Sequence, residues 1–377
     1  MFNKNKSGSG KIDYSFDNGL NIADAATGET VDFVSQAELK ADSARLNERA
    51  KDVPDPEHYL IDLDDERQME VFVFNPDAKS NDVIIYNYQW SGYYGGAQGP
   101  ASEYHEAAVF AAAFPDKKVI VVNQPGFGGS DALPDTMSAR LGKTGDYEEV
   151  GATLGEGLKK FIQNKIGQVA TLAVLGSSQG ALRVMPMVEH LAEVADKTRV
   201  ALVDPPGSKS GLLRLITNFV VKEGVHGAGY RHAAAAIDPE SAAARLESAK
   251  FTSVIRDKIL KKKPNADQAN RKAGLLRRLK QTYWDAPRSM ARPALERNLS
   301  HLQNSGVDRV DLYSLERSEV SDIERVKQIV GSIGKEALNL RHFVIQGATH
   351  AFAKGKPIMD VELVHRLFDD DIPGGRN

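Results

Sequence analysis

The chain has 377 residues, with 48 Lys or Arg against 51 Asp or Glu, so its formal charge of −3 gives no global pull toward nucleic acid or an anionic membrane. It has no cysteine, which excludes disulfides, thiolate metal sites and a cysteine nucleophile, and agrees with a reducing compartment. A hydrophobic content of 41% and a charged content of 26% are those of an ordinary globular protein, long enough for one large α/β domain with an insertion or for two domains.

Residues 1–10 are polar and lack the apolar core of a secretory signal, and the apolar window 107–114 is too short to span a bilayer. A cytoplasmic protein with no membrane span is expected. Residues 1–55 read as a polar arm carrying one surface helix over 36–51. The apolar stretches 58–63 and 69–74 flank the polar turn 64–67 and predict a pair of strands. Runs at 83–86 and 119–122 are short and bounded by turn residues, as strands buried on both faces are, and 101–114 between them predicts a helix.

The alternation continues with a helix over 147–162, a strand over 169–175, a helix over 179–195 and a strand over 199–203. In the helix after residue 178, Leu182, Met185, Val188 and Leu191 recur every three residues and form an apolar face, while Pro186 predicts a kink. Residues 206–303 break the pattern. They hold no clear strand and several helical stretches punctuated by Pro264, Pro287 and Pro293, so they read as an inserted helical cap. Strand 309–314, helix 322–333, strand 340–345 and helix 361–368 then resume the alternation. The predicted class is α/β, a mostly parallel sheet with helices on both faces, with residues 56–205 and 304–377 forming the core.

Chemistry concentrates at the ends of these strands. Ser178 lies in Gly176-Ser177-Ser178-Gln179-Gly180, between an apolar strand and a helix, the context in which G-x-S-x-G exposes a serine nucleophile. A serine hydroxyl needs a base within hydrogen-bond reach and a third group to orient that base. Of nine histidines, His350 alone follows a predicted strand in a Gly/Ala-rich turn, where open α/β sheets place their sites. The acid is expected between serine and histidine in chain order. Glu319, in the loop after strand 309–314, is the first choice, with Glu316 and Asp204, the latter topping strand 199–203, as alternatives. The backbone N–H of Gln179 is the expected oxyanion donor, with a second from Gln89 or Trp90 in the loop after strand 83–88.

These residues resemble the α/β-hydrolase superfamily. Gly176-Ser177-Ser178-Gln179-Gly180 is similar to its nucleophile elbow, and Asn123-Gln124-Pro125-Gly126-Phe127-Gly128-Gly129-Ser130-Asp131 to its P-G-x-G-x-S loop. Glu316-Arg317-Ser318-Glu319 resembles its acid loop, with Glu where Asp is commoner, and Gly347-Ala348-Thr349-His350-Ala351-Phe352 its histidine loop. The likeness covers about residues 58–205 and 305–370, with the insertion where members carry a cap. The His-Gly pair of many oxyanion loops is replaced by Asn87-Tyr88-Gln89-Trp90, and a Ser nucleophile argues against epoxide-hydrolase or haloalkane-dehalogenase chemistry. The resemblance implies a serine hydrolase cleaving a carboxylic ester through an acyl-enzyme. Thioester, amide or C–C cleavage, acyl transfer, or a ligand-binding homologue without catalysis would use the same scaffold.

No cofactor and no metal are expected. The glycines at 126, 128 and 129 fail the dinucleotide spacing because Asp131 stands at the third glycine position, and no pair of histidines has helical ligand spacing. Residues 245–297 hold 15 Lys or Arg against 5 Asp or Glu, a balance of +10 that leaves −13 for the remainder. The ordinary reading is solvated helix faces; the sharper one is attraction of an anionic substrate or surface by Lys261, Lys262, Lys263, Arg271, Lys272, Arg277, Arg278 and Lys280. Tyr283 and Trp284 are too few aromatics for a nucleic-acid stacking platform. The expected partner is a small acyl substrate, an anionic one included, with no nucleic acid.

Overall fold

The computed structural model describes residues 19–64, 66–87, 94, 101–208, 237–241, 243, 277, 280–303, 305–318, 320–333, 339–350 and 357–369. All eight predicted strands form: β3 Glu57–Asp62, β4 Gln68–Phe74, β5 Val83–Asn87, β6 Lys118–Val122, β7 Val169–Ser177, β8 Ala195–Val203, β9 Arg309–Leu315 and β10 Leu340–Ile345. Two more precede them, β1 Leu20–Asp24 and β2 Thr30–Val34. The sheet order is β2-β1-β10-β9-β8-β7-β5-β6-β4-β3. The six strands from β10 to β6 run parallel, and the antiparallel pairings are confined to the two flanks.

Parallel strands are buried on both faces, so successive residues must both be apolar. On β5, Val83 and Ile85 enter one core with Leu154 and Leu158 of α4 (Glu148–Phe161) and Leu182 and Met185 of α5 (Gln179–Leu191). Ile84 and Tyr86 enter the other, with Leu39 and Leu46 of α1 (Gln36–Ala50), Phe110 of α2 (Ala101–Ala113) and Leu363 of α9 (Pro357–Phe368). From β5 the chain crosses to β6 on one side and then returns to β7 on the other. The β5/β7 boundary is thus a topological switch point, and ligands of open α/β sheets bind at the carboxyl ends of the strands there.

The N-terminal reading is corrected in part. The expected helix is present as α1, opened by a capping box in which Ser35 Oγ accepts from Glu38 N and the Glu38 carboxylate accepts from Ser35 N. Residues 20–34, however, are not a loose arm but a hairpin that pairs antiparallel with β10. Asp24 Oδ1 turns it by accepting from the amides of Ala26 and Thr27 at 2.9 and 2.8 Å. Asp32 at its rim is ion-paired to Arg366 of α9. Polar residues interrupt both strands, Asn21 and Asp24 on β1 and Asp32 on the edge strand β2, and hid their apolar pattern.

α3 (Asp135–Thr144) follows the glycine loop and was not predicted. α5 is continuous across Pro186. Most of the insertion expected as a cap lies outside the described residues. Its described end carries a π-helical turn, Gln281–Asp285, then α6 (Ala286–Met290) and α7 (Leu295–Ser300), before α8 (Ile323–Ile333) joins the core. This end is stitched to the core: Asn298 Oδ1 accepts from Tyr147 N at 3.0 Å and Ser138 Oγ donates to Asp285 Oδ2 at 2.7 Å. No described helix is long and apolar enough to cross a membrane.

Candidate active site

β7 ends at Ser177, and the chain must reverse at once to lay α5 on the sheet. The turn forces Ser178 to φ 54° and ψ −123°, a left-handed conformation that only a specific need maintains in a residue with a Cβ. Gly176 makes room for the turn, since a Cβ there would come within 2.9 Å of Ala181 Cα in the first turn of α5. The elbow is tied to its neighbour strand by Ser178 N donating to Val203 O at 2.8 Å.

The structure brings His350 to this elbow. Ser178 Oγ and His350 Nε2 are 2.9 Å apart, although 172 positions separate them, and both residues are buried. On the other side of the ring, His350 Nδ1 lies 2.5 Å from Asp204 Oδ2. A carboxylate at Nδ1 holds the ring proton there, which leaves the Nε2 lone pair to receive the serine proton.

Asp204 is the residue immediately beyond β8, held at φ 46° with its amide donating to Tyr313 O at 2.7 Å. Its carboxylate is held through both oxygens. Ser318 Oγ donates to Oδ2 at 2.6 Å, and Ser321 Oγ donates to Oδ1. Glu319, the first choice for the acid, lies outside the described residues. Of the alternatives, Asp204 meets His350, whereas Glu316 is occupied as the acceptor for Gly347 N at 2.6 Å. The loop after β9, expected to provide a carboxylate, contributes the two hydroxyls that hold the carboxylate of the neighbouring strand. Because β8 and β9 are adjacent, the ends of both strands open onto the same spot.

Gln179 opens α5, so its backbone N–H belongs to the first turn, whose amides lack acceptors one turn back within the helix. Its side chain is held at both ends, Nε2 donating to Tyr147 Oη at 2.9 Å and Oε1 accepting from Arg183 Nη1 at 3.1 Å. Gln89 and Trp90 lie outside the described residues; Asn87, the last residue of β5, is bound through its side chain to Arg183. Arg183 is buried, and desolvation lowers its pKa to about 10, so it remains a cation at neutral pH. Burial likewise raises the phenol of Tyr147, which stays a neutral hydrogen-bonding group. The sequence signal for Arg183 was a lone charge in the otherwise uncharged stretch Gln179 to Val188. Nothing comparable marks Ser318, Ser321 or Tyr147.

The glycine loop after β6 binds an anion of its own chain. The Glu70 carboxylate accepts from Gly129 N and from Asn123 Nδ2, each at 2.6 Å. A Cβ on Gly128 would stand 2.4 Å from both Glu70 Oε2 and Asn123 Nδ2, so the loop closes over Glu70 only with glycine there. Asn123 also pins Tyr94, accepting from its amide at 2.7 Å.

A mostly parallel sheet with this order, flanked on both faces, with an elbow serine after β7 and a histidine after β10, decides the architecture. The chain has the α/β-hydrolase fold. No protein-family model matches the sequence, and no curated protein matches it. Among solved structures it is similar to the Pyrococcus furiosus esterase Pf2001, at 13% identity and a TM-score of 0.45 over 84% of this chain and 92% of that one. It is similar to the thioesterase domain of the curacin biosynthetic pathway at 15% and 0.46, over 83% and 100%. A serine hydrolase of Cycloclasticus zankles gives 13% and 0.46, over 84% and 100%. Likenesses of this size leave the chemistry of this α/β-hydrolase-fold chain to its own geometry.

Among the described residues, Asp146, Glu148 and His301 alone are spaced so that one atom of each could meet a cation, and Arg297 stands 3.7 Å from Asp146 there. Of the basic residues of the insertion, Arg277 faces Asp135 at 3.6 Å and Lys280 faces Asp285 at 3.0 Å. Lys261, Lys262, Lys263, Arg271, Lys272 and Arg278 lie outside the described residues. Trp284 is 57% exposed, with the Arg288 guanidinium over its ring at 5.4 Å.

Proposed function

We propose that the chain is a serine hydrolase that cleaves a carboxylic ester through an acyl-enzyme. The observation that carries this reading is the unbroken buried relay Ser178 Oγ to His350 Nε2 and His350 Nδ1 to Asp204 Oδ2, at 2.9 and 2.5 Å. Ser178 attacks the acyl carbon while its proton passes to His350 Nε2. Asp204 keeps the ring in the accepting tautomer and stabilises the imidazolium. The Gln179 N–H, at the positive end of α5, donates to the oxyanion. The imidazolium returns the proton to the leaving alkoxide, and water, deprotonated by the same nitrogen, releases the acid.

Strain at the elbow supports this reading over a binding protein on the same scaffold, since a binding role does not require a left-handed serine against an imidazole. The test is labelling of the full chain by a fluorophosphonate, with Ser178→Ala as control, followed by turnover of p-nitrophenyl esters of increasing acyl length. Labelling that disappears with Ser178→Ala, together with ester turnover, is the expected result. A wild-type chain inert to both would end the proposal.

A further inference from the structure

Arg183 is 3% exposed, and its guanidinium is shared among three strand ends. Nε and Nη2 both donate to Asn87 Oδ1, at 3.2 and 2.9 Å, at the end of β5. Nη1 donates to Gln124 Oε1 at 2.7 Å, beyond the end of β6, and to Gln179 Oε1 at 3.1 Å, just past the nucleophile. β6, β5 and β7 are consecutive in the sheet, so one planar fork gathers the termini that flank the switch point.

The chain of donors has a direction. Ser289 Oγ spends its proton on Ala286 O at 2.7 Å, so in its 2.7 Å contact with Tyr147 it accepts. Tyr147 Oη in turn accepts from Gln179 Nε2 at 2.9 Å, and Gln179 Oε1 accepts from Arg183. Donation therefore runs from Arg183 through Gln179 and Tyr147 to the insertion, and no member can rotate without orphaning a buried group. Burying a guanidinium is costly, and the residue at the centre of the stitch is the one whose backbone N–H is assigned above to the oxyanion.

We propose that Arg183 is a positioning residue for the oxyanion site, fixing Gln179 relative to Ser178 and fixing Asn87 at the root of the loop after β5, with Tyr147 locking the opposite end of Gln179. This rests on the serine-hydrolase reading. A developing alkoxide is stabilised only by donors already in place, so loosening the clamp costs transition-state stabilisation and leaves ground-state binding nearly intact.

The experiment compares Arg183→Met, Arg183→Lys and Tyr147→Phe in the full chain. It measures the melting temperature, kcat and KM on the best p-nitrophenyl ester, the fluorophosphonate inactivation rate, and affinity for a trifluoromethyl ketone that forms a tetrahedral adduct on the serine. Arg183→Met is expected to lower kcat, inactivation rate and ketone affinity together by about tenfold or more, with KM within about twofold. Arg183→Lys recovers part of the loss, and Tyr147→Phe shows a smaller loss in the same direction. If Arg183→Met does not fold, the other two variants decide the matter. Lowered melting temperatures with wild-type kcat and ketone affinity in Tyr147→Phe and Arg183→Lys would reduce the clamp to a structural one. A wild-type chain that is not labelled at Ser178 would fail the serine-hydrolase reading itself, before any variant is compared, and this proposal with it.

Discussion

Asp204 Oδ2 lies 2.5 Å from His350 Nδ1 across 146 positions of sequence, from the end of β8 to the turn after β10. Asn at position 204 keeps the shape but lets the ring take the other tautomer. Asp204→Asn is therefore expected to lower kcat by about 10⁴, as loss of a triad carboxylate does, whereas Glu319→Gln stays within about twofold. Steady-state kinetics of the two variants on one ester checks this. A large loss at Glu319 with little at Asp204 would return the acid role to the loop after β9.

Ser318 and Ser321 each donate to the Asp204 carboxylate. Hydrogen bonds to a charged acceptor contribute about 1.5–3 kcal/mol, so removing both should mobilise the carboxylate and lower kcat/KM by about tenfold to a hundredfold. Because the two hydroxyls share one partner, the losses in Ser318→Ala and Ser321→Ala should not add. A double-mutant cycle on kcat/KM measures the coupling, and strict additivity would contradict a shared function.

Gly128, at φ 55°, closes the loop over Glu70, and a methyl group there collides with both Glu70 Oε2 and Asn123 Nδ2. Gly128→Ala should cost about 1–3 kcal/mol in unfolding free energy. Urea titration provides the number. A variant as stable as wild type would show that the loop does not depend on this close approach.

Asp311 on β9 is fully buried, and burial alone would raise its carboxyl, but hydrogen bonds from Arg341 and Arg309 outweigh it and hold the group below the ordinary range. A carboxyl depressed in the folded state contributes stability that is present above its unfolded pKa and is lost as pH falls through the folded one. Asp311→Asn should thus cost about 3–5 kcal/mol at neutral pH, where Arg309 and Arg341 lose the counter-charge they share. The gap from wild type should hold down to about pH 5 and narrow below about pH 4, near the unfolded carboxyl value. Urea unfolding at several pH values tests the direction; a gap widening in acid would refute it.

Much of this molecule was legible because buried parallel strands announce themselves. Val83 to Tyr86 and Val119 to Val122 are short unbroken apolar runs rich in β-branched residues and bounded by turn residues, the form that strands buried on both faces take. The elbow was legible for a steric reason, since a serine with a glycine two positions to either side, between a strand and a helix, has few other uses. The hairpin of β1 and β2 was not, because β1 is a short strand of five residues interrupted by Asn21 and Asp24, and β2, the edge strand, is largely open to solvent.

Residue type and order along the chain were sufficient to single out Ser178 and His350 as candidates, Ser178 directly after β7 and His350 in the turn that follows β10. The carboxylate was a different problem. Asp204, Glu316 and Glu319 all follow strands between the serine and the histidine, and chain order cannot rank them. The contact of Asp204 with the imidazole comes from the lateral packing of β8 against β9, which also brings Ser318 and Ser321 of the next loop onto its carboxylate. Arg183 likewise acquires a role only when three strand ends meet around it, because hydrogen-bond geometry is a property of distances in space and has no counterpart in spacing along a polypeptide.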